Sequence, residues 1–278
     1  MSFDQATRTP LKLGLIGDPV AHSRSPELHR GFLVEAGLSG DYLRYQIRTD
    51  QLAARLAALL AAGIDGLNVT IPHKETVLSL TELIEGSSEA VQAIGATNTL
   101  IPNARRTAFY AENTDWQGFL ATLPVGLSAE LREVLVIGVG GSARAIVYAL
   151  QQHCPQLTRI NLLVRRPGRA ASYQEQYGKL ISARLVSDLD DPQLAPQLIV
   201  NCSPVGLAGH GADSQLPLPE RYLQIWPLAR VYDLIYEPAQ TPLLVAAARQ
   251  SLPTLGGWAM LVAQARLSFE HWRAHQVG

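Results

Sequence analysis

The chain has 278 residues, 47% of them apolar and 17% charged, with a net charge of -1. That balance excludes an intrinsically disordered chain and leaves no field to attract nucleic acid or an anionic membrane. The length suits two domains of ordinary size, and the expected partner is a small molecule.

The two cysteines, Cys154 and Cys202, have no metal-ligand spacing, as expected of a protein from a reducing compartment with neither disulfides nor a bound metal. The N-terminal "MSFDQATRTP" lacks an apolar signal core, and the longest apolar run, "LAARLAALLAAGI", is interrupted by Arg55 and too short to span a bilayer. These features predict a soluble cytoplasmic protein.

Strand-like and helix-like segments alternate from the start, which predicts parallel sheets covered by helices. "LKLGLIG" (11–17) reads as a buried strand. Ser25 followed by Pro26 reads as a helix cap with proline at the first helical position, and Gly37 closes that helix. "YLRYQI" (42–47) is a second strand. Asp50 is placed to cap the Ala/Leu-rich helix that ends at Gly63. "IDGLNVT" (64–70) and "ATNTLI" (96–101) follow as strands, and Asp115 and Trp116 open a helix running to about Leu123.

A second unit begins with "REVLVIGVGGSARAIVYALQQ" (132–152), a strand, a glycine-rich turn and a helix. "INLLVRR", "PQLIVNCS" and "RVYDLIY" then read as the strands of further βα units. The stretch 206–219, rich in proline and glycine, reads as a loop, and 256–275 as a long amphipathic helix.

The glycine-rich turn carries G-x-G-x-x-A at Gly138, Gly140 and Ala143. In this context Gly138 allows the tight turn, Gly140 lets the backbone approach a pyrophosphate, and Ala143 permits close helix–strand packing. The whole segment Gly138, Val139, Gly140, Gly141, Ser142 and Ala143 is the candidate phosphate cradle, with the partial positive charge of a helix N-terminus behind it. At the end of the next strand the acid that would hold an NAD ribose is missing. Arg165, Arg166 and Arg169 stand there instead, a cluster suited to a 2′-phosphate, which favours NADP over NAD.

Lys74 stands out on composition. Of 23 basic residues, 20 are arginine, yet "GLNVTIPHKE" (66–75) carries a lysine just past a proline. An arginine cannot give up its proton in a protein, whereas a lysine can.

Collinear segments covering nearly the whole chain carry a family resemblance: "AHSRSP", "NVTIPHKE", "GATNTL", "ENTDW", "IGVGGSAR", "NCSPVG", "YDLIY" and "GGWAMLVAQ". The chain resembles the shikimate dehydrogenases and their quinate and shikimate dehydrogenase-like relatives. The resemblance implies an α/β fold of two domains: an N-terminal α/β substrate-binding domain (1–114 plus 256–278) and a Rossmann-type NADP-binding domain (115–255). The C-terminal helix returns to the first.

It implies that Ser23 and Ser25 bind a substrate carboxylate, and that Asn68, Thr70, Asn98 and Gln264 meet ring hydroxyls. Lys74 and Asp115 form the catalytic pair, Tyr232 lines the pocket, and Gly257 approaches the nicotinamide. The expected reaction is hydride transfer between NADPH and 3-dehydroshikimate, on the route to aromatic amino acids, in a monomer or homodimer. Quinate or an aminoshikimate are the alternative substrates, and a non-catalytic sensor of dinucleotide and cyclohexene carboxylate is the alternative of another class. His22, His29 and His73 border the site and read as hydrogen-bonded polar residues, not metal ligands.

Overall fold

A computed structural model describes residues 9–209 and 212–275. The polar residues 1–8 and two residues of the expected loop, 210 and 211, lie outside them. The chain divides into two compact units, Met1–Asp115 with Val262–Gly278, and Trp116–Leu261.

The first unit runs β1 (Leu11–Gly17), α1 (Ser25–Glu35), β2 (Gly40–Gln46), α2 (Leu52–Ala61), β3 (Gly66–Val69), α3 (His73–Thr76), β4 (Ile84–Ser87), α4 (Glu89–Ile94), β5 (Thr99–Pro102) and β6 (Phe109–Glu112). Its six strands form one sheet in the order β2-β1-β3-β5-β6-β4. β1 is parallel to both neighbours, whereas β5 is antiparallel to β3 and to β6. The sheet is therefore mixed, not purely parallel as its alternating elements suggested. β4 and β6 escaped the sequence reading because β4 (IEGS) carries no apolar run and β6 (FYAE) buries only the alternate residues Phe109 and Ala111.

Two caps also differ from expectation. Ser25 is the first residue of α1, the cap position falls on Arg24 without a side-chain cap, and the Ser25 N–H donates to Ser23 Oγ at 3.3 Å. Asp50 sits in a short 3-10 turn, Thr49–Gln51, and pairs with Arg48 at 3.0 Å instead of capping α2. Gly37 does follow α1 in the left-handed region, at φ 65°.

Apolar side chains cover both faces of this sheet. One face packs Ile16, Leu52, Leu56, Leu60, Leu67 and Phe109. The other packs Leu13, Phe32 and Tyr42 against Phe269 and Trp272 of the last helix, α11, introduced below. The Trp272 ring lies over Gly66, where an added Cβ would come within 2.5 Å of it, and its indole N–H donates to the Leu100 carbonyl at 3.0 Å. Only glycine admits this approach, so Gly66 is where the end of α11 is seated on the sheet.

Asp115 begins α5 (Asp115–Thr122), which leads into the second unit. There follow α6 (Leu127–Glu130), β7 (Glu133–Ile137), α7 (Gly141–His153), β8 (Arg159–Leu163), α8 (Ala171–Tyr177), β9 (Ile181–Arg184), β10 (Leu198–Asn201), α9 (Arg221–Ile225), β11 (Arg230–Asp233), α10 (Pro242–Arg249), β12 (Thr254–Gly256) and α11 (Trp258–His275). The sheet order β12-β11-β10-β7-β8-β9 is parallel throughout, as a doubly wound dinucleotide fold requires. Its four inner strands are largely buried and read as apolar runs, which made β7, β8, β10 and β11 legible. No helix among the described residues is long and apolar enough to cross a membrane.

Asp233 closes β11 as a fully buried carboxyl. It accepts from Asn201 Nδ2 (3.0 Å), the Ile235 N–H (3.1 Å) and Thr241 Oγ1 (2.7 Å), tying together the loops after β10 and β11. Burial nevertheless outweighs those bonds and pushes its pKa from 3.8 up to about 6. A raised folded-state pKa contributes stability that is complete below about pH 4 and lost as pH rises through about 6, here about 3 kcal/mol. Denaturant unfolding between about pH 4 and about pH 7 should show the wild type losing roughly that much stability relative to Asp233→Asn. A difference that stays flat with pH would contradict this account.

Candidate active site

β3 ends at Val69, and the chain turns through Thr70, Ile71 and Pro72 into the single helical turn α3. His73 anchors the turn: it is buried, its N–H donates to the Thr70 carbonyl, and its Nε2 lies 2.6 Å from the Ile47 carbonyl. Next to this anchor, Lys74 Nζ donates to Asp115 Oδ2 at 2.6 Å. Their side chains are 12% and 6% exposed, so the pair is shielded from water without being sealed off.

Asp115 is held at three points. Its Oδ1 accepts from Asn98 Nδ2 at 2.9 Å, its Oδ2 from Lys74, and its backbone N–H donates to Asn113 Oδ1 at 3.0 Å. A buried ion pair is tolerated only when such hydrogen bonds compensate its desolvation.

Asn98 spends its amide on neighbours in every direction. Its Nδ2 also meets Thr114 Oγ1 (2.9 Å) and Gln264 Oε1 (3.0 Å), while its Oδ1 accepts from the Thr114 N–H (2.8 Å) and Thr99 Oγ1 (2.9 Å). Asn68 is held in the same way. Tyr42 OH donates to its Oδ1 at 2.8 Å, and its Nδ2 donates to the Asn98 carbonyl and to Ser268 Oγ, both at 3.0 Å. Ser268 Oγ in turn lies 2.7 Å from Thr99 Oγ1 and 3.1 Å from Thr114 Oγ1, and donates to the Gln264 carbonyl.

One connected polar network therefore joins Lys74, Asp115, Asn68, Asn98 and Gln264. Tyr42, Thr99, Thr114 and Ser268 are members that the sequence reading missed. Ser268 carried a usable signal: it stands four residues after Gln264 and so on the same face of α11.

The other expected residues of this unit stand outside the network. Ser23 Oγ and Ser25 Oγ pair with each other at 3.1 Å in the turn before α1. Thr70 is half-buried one residue past the end of β3, not on the strand beside Asn68, and its hydroxyl makes no hydrogen bond among the described residues. His29 departs from the satisfied role expected of it. It is fully buried, stacked on Tyr42 at 4.2 Å, and neither ring nitrogen has a hydrogen-bond partner among the described residues. Burial drives its pKa down to about 3, so it stays neutral at ordinary pH.

The second unit holds the remaining candidates. Gly138 adopts φ 105°, and a Cβ there would crowd the Cys202–Ser203 peptide at 3.3 Å. Around Gly140, at the N-terminus of α7, the space that a Cβ would take is open. No side chain caps that helix, and no acid stands in its first turn. A positive helix end and open space suit a pyrophosphate. Arg165, Arg166 and Arg169 are exposed after β8 and form no ion pair among the described residues, so their guanidinium groups fit the 2′-phosphate of NADP. Among the described residues no group of three or more His, Cys, Asp or Glu could hold a metal.

Tyr232 is buried, stacked on Phe119 at 5.5 Å, with its hydroxyl 2.7 Å from Thr122 Oγ1, and burial pushes its pKa up to about 12. Gly257 is closed in by its own unit: an added Cβ would lie 2.0 Å from the Leu234 carbonyl oxygen.

Removing the Ser268 hydroxyl should take one buried hydrogen-bond partner from each of Asn68, Thr99 and Thr114. Ser268→Ala is expected to cost about 1–3 kcal/mol in urea unfolding. A loss within a few tenths would mean that the network closes without it.

A family model described as the shikimate dehydrogenase substrate binding domain matches residues 15–100. The shikimate dehydrogenase (NADP(+)) of Acidiphilium cryptum is 38% identical over 261 residues, 93% of this chain and 89% of that protein. Shikimate 5-dehydrogenase from Thermus thermophilus, solved in complex with NADP(H) and shikimate, aligns with a TM-score of 0.81 at 31% identity, covering 95% of this chain and 94% of that one. Quinate dehydrogenase from Corynebacterium glutamicum, solved in complex with NAD, aligns with a TM-score of 0.80 at 28% identity, again over 95% and 94%. With likeness of this degree running the length of both partners, from the serine pair to α11, the chain belongs to the shikimate dehydrogenase family.

Proposed function

We propose that the protein is an NADP-dependent shikimate dehydrogenase, interconverting 3-dehydroshikimate and shikimate in the cytoplasm. The observation that carries this reading is the shielded Lys74–Asp115 pair at 2.6 Å, fixed inside a network of polar side chains. When the ketone is reduced, its oxygen needs a proton, and Lys74 Nζ supplies it; in the reverse direction the same amine removes the proton from the hydroxyl. Asp115 orients that amine and balances its charge, while Asn98 fixes the carboxylate oxygen that Lys74 does not use.

Ser23 and Ser25 bind the substrate carboxylate, and Asn68, Thr70, Asn98 and Gln264 face the ring hydroxyls. The unit containing Lys74 is the substrate-binding domain, and the other holds the nucleotide. The backbone of Gly138 to Ala143 cradles the pyrophosphate, Arg165, Arg166 and Arg169 hold the 2′-phosphate, Tyr232 lines the pocket, and Gly257 approaches the nicotinamide. The bound cofactor supplies the hydride.

Lys74→Ala should lower kcat for shikimate oxidation by about 10²- to 10⁴-fold, measured as NADP+ reduction, with shikimate affinity largely retained. Near-normal turnover would remove Lys74 from the chemistry. Quinate and NAD+ are the controls in that assay. Ligand binding without turnover of any of these substrates would favour a non-catalytic sensor.

The cofactor assignment is tested separately by binding. The double variant Arg165→Ala, Arg166→Ala should weaken NADP+ by roughly 10- to 100-fold in titration calorimetry and leave NAD+ unchanged. An equal loss for both dinucleotides would sink the 2′-phosphate role.

A further inference from the structure

β2 is the edge strand of the first unit's sheet, and alternate residues along it share a face. On one face stand Tyr42, Arg44 and Gln46, and each is a polar staple to the candidate site. Tyr42 OH holds Asn68. Arg44 donates Nη2 (2.6 Å) and Nε (3.1 Å) to the Ser23 carbonyl. Gln46 Nε2 donates to Asp18 Oδ1 at 2.8 Å, at the other end of the same β1–α1 turn.

Arg44 differs from the arginines around it. Arg24 pairs with Glu27, Arg30 with Asp41 and Arg48 with Asp50, whereas no carboxylate among the described residues pairs with Arg44. Its charge is left uncompensated, and its fork is fastened to the residue whose hydroxyl begins the serine pair. The hydroxyls of Ser23 and Ser25 are themselves neutral, and the Lys74 cation is balanced by Asp115.

We propose that Arg44 is a specificity-determining residue that supplies the fixed positive charge selecting a carboxylate at the Ser23–Ser25 pair, besides tethering the turn. This rests on the reading of that pair as the carboxylate site. The group is solvent-exposed, so it acts by a screened Coulomb attraction and not by burial.

The test compares shikimate with its uncharged methyl ester as substrates for the wild type, Arg44→Gln and Arg44→Lys. Arg44→Gln should raise KM for shikimate roughly fivefold with kcat little changed, and should leave KM for the ester unaltered. Arg44→Lys keeps the charge without the fork and should retain most of the preference for the acid. The penalty of Arg44→Gln should also shrink at high salt. Equal changes for acid and ester, or a lysine variant as impaired as the glutamine variant, would reduce Arg44 to a tether and overturn the proposal. A shikimate KM unmoved in Arg44→Gln would do the same. Failure of the underlying reading looks different: Ser23→Ala, which removes a hydroxyl of the pair, would then leave KM for the acid unchanged.

Discussion

The Lys74–Asp115 pair is the constraint around which the first unit is organised. Two opposite charges shielded from water stay charged and in register only if the groups around them replace the solvent they lost. Asn98, Asn113 and the turn anchored by His73 do this, each fixed by further hydrogen bonds of its own. The pair consequently depends on backbone segments far apart in sequence. The Lys74 carbonyl accepts from the Thr97 N–H, which places the lysine turn beside the bend that carries Asn98 into β5.

The last helix, α11, closes this arrangement. It brings Gln264 and Ser268 into the network, while Phe269 and Trp272 pack with Leu13, Phe32 and Tyr42. The same helix thus carries a polar row for the site and an apolar row for the core. The close seat of Trp272 over Gly66 fixes its position along β3. Packing sets the geometry here, and the hydrogen bonds make it specific.

In the second unit, glycine supplies what side chains would obstruct. Gly138 bends in the left-handed region against the loop after β10, and Gly140 leaves space before α7. That loop is held from beneath by Asn201 and the buried Asp233. A buried carboxyl of raised pKa thus underpins the neighbourhood of the glycine-rich turn, and its protonation links the loops to pH.

Much of the protein could be read without coordinates. The parallel second sheet followed from continuous apolar strands and from the glycine spacing at residues 138–143. The oddity of one lysine among arginines singled out Lys74, and the order of motifs identified the family. These are local properties, written in runs of adjacent residues. The antiparallel return of β5 and β6 was not legible, because a strand's direction is set by the neighbours it pairs with and not by its own residues. Nor were the hydrogen bonds of Tyr42, Thr99 and Thr114, or the lack of a ring hydrogen bond for His29 among the described residues. Each depends on which distant groups share a small volume. Sequence alone determined which chemical groups are available, because composition and local spacing report on propensity and charge. Only the tertiary structure decided which of those groups meet, because burial and hydrogen bonding between residues up to 200 positions apart are set by packing and not by adjacency.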